Sequence, residues 1–352
     1  MTRRDPAIYA LTAPAAHTAR RLARAWPAAR LFLPHRLARP QQGEVGFDRL
    51  EEALAANFTG YRGHLVFAAA GIVVRTLAGL LRSKDRDPAV VVLDPAGCFA
   101  VSLLSGHLGG ANDLARRAAA VLGGQAVITT ATDACSLPSL EVMARDLGLK
   151  VVDLSPLAAI SRRLVEGRPV PVYDPGNWLL PALAEHAELF PALPEPPAAD
   201  DPRPLVLVHW QQARTPASWL VLRPPCLVAG VGCNRGTGAD QMQTLLQEVL
   251  ARHGLAADAL GCLATVDLKQ DEPGLRELAA RLRVKIIYFP AARLHQVDVP
   301  HPSATVEKNI GTKSVCEAAA LTAAQADQLL VGKHKNREAT VAVALISRGP
   351  FT

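Results

Sequence analysis

Two segments concentrate the residues from which chemistry can be built. The first, LDPAGCFAVSLLSGHLGGAND (93–113), reads as an apolar strand that breaks into a Gly/Ser/His loop and opens a helix at Asn112. Its glycines Gly106, Gly109 and Gly110 let backbone approach a ligand or take positive φ, and Ser105, His107 and Asn112 add polar side chains. A helix opening there exposes free N–H groups that favour an anion. The alternative is a tight turn in which Asn112 merely caps the helix. The second segment, GVGCNRGTGAD (230–240), repeats the design with Gly232, Cys233, Arg235, Gly236 and Thr237. Its G-x-G-x-x-x-G spacing is not the dinucleotide fingerprint, and Asp267 falls 37 residues after Gly230, too far for the ribose-binding acid. A loop for another anionic group is the better reading, with Thr237 and Asp240 also able to cap the helix.

Four further stretches carry candidates. In FAAAGIVVRTLAGLL a strand ends at Gly71 and places Arg75 near the first turn of a helix, where its charge opposes the dipole and suits a ligand carboxylate, or pairs with Asp85 or Asp87. TVDLKQDEPGL sets Asp267 and Lys269 two apart, on one side of a strand if extended, as a base or water-orienting pair; the alternative is a solvated loop before a helix at Pro273. EKNIGTKSV supplies Glu307, Gly311, Thr312 and Lys313, an anion platform ahead of a helix. The basic HKNREAT with the preceding Lys333, and with Lys335 and Arg337, reads as a substrate-facing hairpin or as a solvated face. G-x-S-x-G and H-E-x-x-H are absent, so covalent catalysis by serine or cysteine lacks support.

The elements that must position these residues alternate. Strand-like runs at 8–12, 64–70 and 89–94 interleave with helical runs at 17–26, 47–58 and 112–123. AVVVL is apolar without alternation, as a strand buried on both faces must be. A strand at 126–133, a helix at 138–147 and strands at 150–154 and 204–210 follow, with a Pro-rich acidic linker or exposed loop at 189–204. Strands at 227–231, 262–268, 284–289 and 339–346 and helices at 238–253, 274–282 and 313–323 form a last unit. Ser314 and Glu317 have capping-box spacing, and Gly254 and Gly332 sit where C-caps belong. The fold class is therefore multidomain α/β, with N- and C-terminal units of mostly parallel sheet covered by helices. The boundaries are 1–135, a middle region 136–222, and 223–352.

Composition excludes other classes. With 49% apolar residues and 20% charged, 352 residues can bury sizeable cores. A net charge of +6 steers anions, yet no Lys/Arg block interleaved with aromatics marks a nucleic-acid binder. Cys98, Cys135, Cys226, Cys233, Cys262 and Cys316 are far apart, unlike a zinc site, and read as buried free thiols of a reducing cytoplasm. No signal peptide or 18-residue apolar span is seen, so no membrane role is expected.

The same stretches carry a resemblance. The run from LVFAAAGIVVRTLAGLL through SGHLGGANDLARRAA to AVITTATD is similar to the N-terminal part of the cobalt-precorrin-5A hydrolase (cobalamin biosynthesis protein CbiG) family. GVGCNRGTGAD, ATVDLKQDEPGL and EKNIGTKSVCEAAAL…HKNREATVAVAL resemble its C-terminal domain, over about 60–155 and 225–346 together. Where the family usually shows Arg, this chain has Asn234. The resemblance implies a reaction. A δ-lactone joining the ring A acetate to the C20 region of cobalt-precorrin-5A is hydrolysed, and C20 leaves with its methyl as acetaldehyde, giving cobalt-precorrin-5B. The substrate carries the cobalt, so no cofactor or protein-bound metal is expected. Such a macrocycle, edged with carboxylates, suits glycine loops, helix N-termini and scattered basic residues. On this reading His107 or Asp267 activates water, and Lys269 and Lys313, with the N–H groups after Gly232 and Gly311, stabilise the oxyanion. Gly71, Arg75, Ser105, Gly106, Gly109, Gly110, Asn112, Gly232, Cys233, Arg235, Gly236, Thr237, Glu307, Gly311 and Thr312 bind substrate. Transient contact with neighbouring pathway methyltransferases is expected. The alternative is a non-catalytic corrinoid-binding or carrier protein, and a nucleotide-dependent oxidoreductase is the third reading.

Overall fold

The computed structural model describes residues 5–83 and 86–346. The chain divides into two compact units, Met1–Val142 and Met143–Thr352. Among the described residues no helix is long and apolar enough to cross a membrane.

The first unit runs β1 (Ala7–Ala10), α1 (Ala13–Ala25), β2 (Arg30–Pro34), β3 (Val45–Phe47), α2 (Leu50–Asn57), β4 (Gly63–Phe67), α3 (Ala70–Leu77), β5 (Ala89–Leu93), β6 (Phe99–Leu104), α4 (Ala111–Leu122), β7 (Gln125–Val127) and α5 (Ala131–Ala134), with α6 (Leu140–Asp146) at its end. The sheet order is β3-β2-β1-β4-β5-β6-β7. Pairing is parallel except that β6 runs against β5. Side-chain alternation splits each central strand between two cores. Ala89, Val91 and Leu93 join α1 and α4, whereas Val90 and Val92 join α2 and α3. Helix α1 starts at Ala13, ahead of the expected 17, because Thr12 accepts from Ala15 N–H and Pro14 occupies the first turn.

The strand order reverses between β1 and β4, and α3 with Gly71 follows the C-terminal end of β4 at that switch point. Because β6 is antiparallel, with Leu104 opposite Val90, the loop at 105–110 leaves the sheet at the N-terminal edge of β4 and β5. The two glycine segments of this unit are thus a strand length apart, roughly 15 Å. The strand expected at 126–133 stops at Val127, and 131–134 turn into α5. Strands β2 and β3 lie outside the sequence expectation, whereas β6 is the apolar strand expected before the 105–110 loop.

The second unit begins with a small sheet of order β8-β11-β10-β9 built from β8 (Lys150–Val151), β9 (Val172–Tyr173), β10 (Leu205–Val208) and β11 (Trp219–Arg223), with α7 (Leu157–Val165) between β8 and β9. The Pro-rich stretch is not a free linker. Val172 N–H donates to Pro191 O, Leu193 N–H donates to Val172 O, and Trp219 Nε1 donates to Asp201 O. Carbonyls do the accepting, which prolines supply as readily as any residue.

The larger sheet has β12 (Leu227–Cys233), α8 (Ala239–Arg252), β13 (Leu260–Val266), α9 (Pro273–Leu282), β14 (Lys285–Phe289), α10 (Ala291–His295), α11 (Ala304–Ile310), α12 (Val315–Ala324), β15 (Leu329–Lys335) and β16 (Ala339–Leu345). Its order is β14-β13-β12-β16-β15. Helices α8 and α9 cover one face and α10 and α12 the other. Gly254, at φ +62°, follows the end of α8 as expected, but Gly332 lies inside β15 rather than at a helix end. Among the cysteines, Cys226, Cys262 and Cys316 are buried, Cys233 is half-buried, and Cys98 and Cys135 are exposed, contrary to the expectation of uniform burial.

Candidate functional site

The loop after β6 is locked by its own side chains. Ser105 takes a left-handed φ of +57°, and its hydroxyl donates to Asp87 O (2.9 Å). Gly109 packs so close that a Cβ there would lie 2.3 Å from Ser105 Cβ. The helix opens at Ala111 with Gly110 as its cap, so Asn112 does not cap it. Asn112 is buried instead, accepting from Ser102 (2.6 Å) and donating to Asp133 (2.9 Å) and Thr130 (3.2 Å).

His107 is the centre of this network. Nδ1 faces Glu141 Oε1 and Nε2 faces Asp133 Oδ2, each at 2.9 Å. Carboxylates only accept, so both ring nitrogens are satisfied together by the imidazolium. Its side chain is 13% exposed. The Glu141 hydrogen bond, against burial and with help from Asp133, raises the His107 pKa. Burial would raise Glu141 and Asp133, but the hydrogen bonds from His107 and, for Asp133, from Thr130 and Arg116 outweigh it and hold both low. Held this way, His107 offers no lone pair to a water molecule.

Arg75 lies in the last turn of α3, not the first, because the helix ends at Leu77. There its charge agrees with the dipole. It is exposed and donates to Gly71 O (3.1 Å). Asp85 lies outside the described residues, and Asp87 accepts from the Arg82 N–H instead.

In the second unit the C-terminal ends of β12 and β13, the N-terminal end of β16 and the C-terminal end of β15 meet at one sheet edge. They bound a cleft of about 440 Å³ with the start of α12 and one side of α11. Gly232, Cys233, Arg235 and Lys269 line it, as do Lys333, Lys335 and Arg337. Glu272 lies behind the lining and holds Lys269. One carboxylate oxygen accepts from Gly236 N–H (3.0 Å), the other from Lys269 Nζ (3.2 Å), and both groups hold Glu272 below the usual carboxylate range. Arg235 donates to Asp271 (3.0 Å), whose pKa it lowers. The Cys233 thiol is pushed up by burial, which Lys269 offsets only in part, so it is a poor nucleophile.

Other candidates take places that spacing alone did not give. Asp267 and Lys269 share a 3₁₀ turn, so period-two alternation does not apply. Lys269 turns inward to Glu272, while Asp267 stays half-buried with no side-chain partner among the described residues. Thr237 donates to Asn234 O (2.9 Å) and does not cap α8, whose cap is Gly238. Gly311, at φ +78°, ends α11 and is not the start of α12. Lys313 is partly exposed and pairs with Asp298 (3.3 Å), and Thr312 is fully buried. Glu307 lies on α11, next to the cleft-lining Val306. Ser303, Glu338 and Thr340 also line the cleft and were missed: Ser303 arrives as the cap of α11, and the pairing of β16 with β15 and β12 brings Glu338 and Thr340 there. Ser314 caps α12 without a side-chain bond, and Glu317 turns away from it to His301. The capping-box spacing is present without the capping box.

Comparison with known proteins agrees with this architecture. The family descriptions "Cobalamin synthesis G N-terminal", "Cobalamin biosynthesis central region" and "Cobalamin synthesis G C-terminus" match residues 52–133, 138–224 and 227–344. The chain is 30% identical over 361 residues to a cobalt-precorrin-5A hydrolase of Priestia megaterium, covering 98% of this chain and 96% of that protein. It is 34% identical over 343 residues to the Salmonella typhimurium protein of that name, covering 92% and 93%. Its C-terminal part is similar to Protein CobE of Sinorhizobium sp, with 33% identity over 129 residues, 36% of this chain and 81% of that protein. With three consecutive family regions matched in order and relatives aligned nearly end to end, the chain belongs to the cobalamin synthesis G family of cobalt-precorrin-5A hydrolases.

Proposed function

We propose that this chain hydrolyses cobalt-precorrin-5A in the cleft of its second unit. The observation that carries the reading is the basic lining. Arg235, Lys269, Lys333, Lys335 and Arg337 face one cleft, with Glu338 among them. Lys335 and Arg337 have no side-chain ion pair among the described residues and are available for the carboxylates of a tetrapyrrole. Lys269 is a cation fixed beside the cleft by Glu272, suited to an oxyanion. The first turn of α12, with Ser314 and Val315 at the wall, adds N–H donors.

Water adds to the lactone carbonyl, and the bond to the ring oxygen breaks, leaving the ring A acetate and a hydroxyl on C20. Loss of that hydroxyl proton then forms acetaldehyde as the bond from C20 to the macrocycle breaks. The electron pair stays on the macrocycle, which takes up a proton. Cobalt arrives with the substrate, so the reading asks for no resident metal. The test is incubation with cobalt-precorrin-5A and measurement of acetaldehyde against a protein-free control. Release at the control rate, with the corrinoid bound but unchanged, would leave only a carrier.

The lining makes its own prediction. Replacing both free cations, Lys335→Gln with Arg337→Gln, raises KM about tenfold with kcat little changed, because each carboxylate contact at an open cleft is worth roughly 0.7 kcal/mol. The KM of the double variant also varies less steeply with salt. An unaltered KM would place the carboxylates elsewhere.

A further inference from the structure

Activation of the water needs a base with an open lone pair, and His107 does not supply one. We infer that His301, aligned by Glu317, is the general base of the hydrolysis; this rests on the function proposed above. His301 Nδ1 lies 2.7 Å from Glu317 Oε1, and the His301 backbone N–H donates to Oε2 (3.2 Å). Glu317 is fully buried, and its Oε1 also accepts from Lys333 N–H (3.1 Å). It stands in the first turn of α12. A buried carboxylate that only accepts fixes the proton on Nδ1 and leaves the Nε2 lone pair as the reactive one.

The rest of the geometry keeps that nitrogen open. The imidazole is 59% exposed, and Nε2 has no partner among the described residues. Gly332 gives the ring room, since a Cβ there would lie 3.2 Å from His301 Cε1. Lys333, whose Nζ donates to His301 O, and Ser303, two residues on, both line the cleft, which puts His301 beside it. Among the described residues no other histidine combines a fully buried carboxylate on one nitrogen with a free second nitrogen. His107 spends both, and the His295–Glu307 pair is long, at 3.9 Å, and half-exposed on both sides. Glu317 lies 16 residues from His301 and reaches the ring only through α12, which is why sequence spacing did not mark the pair.

The step balances. A water proton passes to His301 Nε2 as the water oxygen bonds to the lactone carbonyl carbon. Collapse of the tetrahedral intermediate breaks the bond from that carbon to the ring oxygen, and the imidazolium returns the proton to the departing oxygen. No oxidant or reductant is involved. Glu317 is a positioning residue that stabilises the transient imidazolium.

The experiment is steady-state turnover of cobalt-precorrin-5A by the full chain, followed as acetaldehyde, across pH. His301→Ala lowers kcat by about 10²–10⁴ with KM little changed. Added imidazole restores part of that loss in a saturable way, which a purely structural residue does not allow. Glu317→Gln moves the acid limb of the kcat profile, which reports the base; the charged groups set around it are Glu317 from α12, Lys333 from β15, and the Lys313–Asp298 pair beside Ser303. His301→Gln, which keeps a side-chain donor for Glu317, guards against a folding defect: it folds with the wild-type melting temperature and is as slow as the alanine variant. Wild-type turnover in His301→Ala, or a loss that imidazole leaves untouched in both variants, overturns the assignment alone. Absence of acetaldehyde from the wild type overturns the functional reading and this assignment with it.

Discussion

Gly230→Ala unfolds the second unit at a temperature roughly 10 °C below wild type, or prevents its folding. The added Cβ would lie 1.8 Å from Cys316 O and 2.9 Å from Ala320 N. Both are backbone atoms of α12, so no side chain can swing aside. Ordinary contact begins near 3.4 Å, so helix and strand must separate by more than 1 Å. Neither is free to do so. Gly230 is on β12, which pairs with β13 on one side and β16 on the other. Helix α12 lies on it through the fully buried Ala318, Ala319 and Ala320, a run without a bulky residue. Overpacking a core normally costs about 1–3 kcal/mol, and more where backbone itself must move. At about 2–4 °C per kcal/mol for a unit of this size, 3 kcal/mol or more gives the stated shift. The same displacement carries Ser314 away from the cleft and Glu317 away from His301, so activity falls in whatever fraction folds. Thermal melts by circular dichroism check it, with Gly79→Ala as the control, since a Cβ at Gly79 meets nothing within 4 Å. A Gly230→Ala melting temperature within 2 °C of wild type would sink the close-packing account.

How much of this was legible depends on whether local pattern or long-range pairing decides. AVVVL declares a doubly buried strand because five apolar residues without alternation have no solvent face to serve, and β5 is buried throughout. GVGCNRGTGAD declares a strand-to-helix junction because its glycines follow an apolar run, and β12 and α8 flank it. The placement of the junctions is another matter. Whether SGHLGG and Gly71 share a sheet edge turns on β6 being antiparallel to β5, which no single segment encodes. Lys333, Lys335 and Arg337 looked like a solvated face as readily as a hairpin. They reach the cleft only because β15 pairs with β16 and β16 with β12. Glu317 is the sharpest case. Its spacing from Ser314 matches a local cap, yet His301 and Lys333 bring three stronger or better-placed donors from distant segments, and tertiary contact wins. The family resemblance covered the chain correctly because it reads such long-range facts indirectly, through whole motifs in order.

The His107 network gives the first unit a pH-dependent stability whose two limbs have opposite origins. The folded state raises the His107 pKa, so its contribution is complete below the ordinary imidazole value of about 6.5 and is lost as pH rises through the higher folded value. The folded state lowers Asp133 and Glu141, so their contribution is complete above the ordinary carboxylate range and is lost as pH falls through the lower folded values. Stability is therefore greatest between the carboxylate and imidazole ranges. Asp133→Ala removes the shared acceptor of His107, Asn112, Thr130 and Arg116. It strands a mostly buried cation and a buried amide, at a cost of about 3 kcal/mol. Glu141→Gln is the sharper probe, because the Glu141 hydrogen bond is the largest influence on His107. It moves the alkaline limb toward lower pH, and His107→Gln abolishes that limb while leaving the acid limb of the remaining carboxylates. Melting temperature against pH for the three variants, with the His107 ring followed by NMR titration, reads each change separately. If Glu141→Gln and wild type give superimposable alkaline limbs, the ring is not held as a cation between two carboxylates. The rigidity of the 105–110 loop would then need another source.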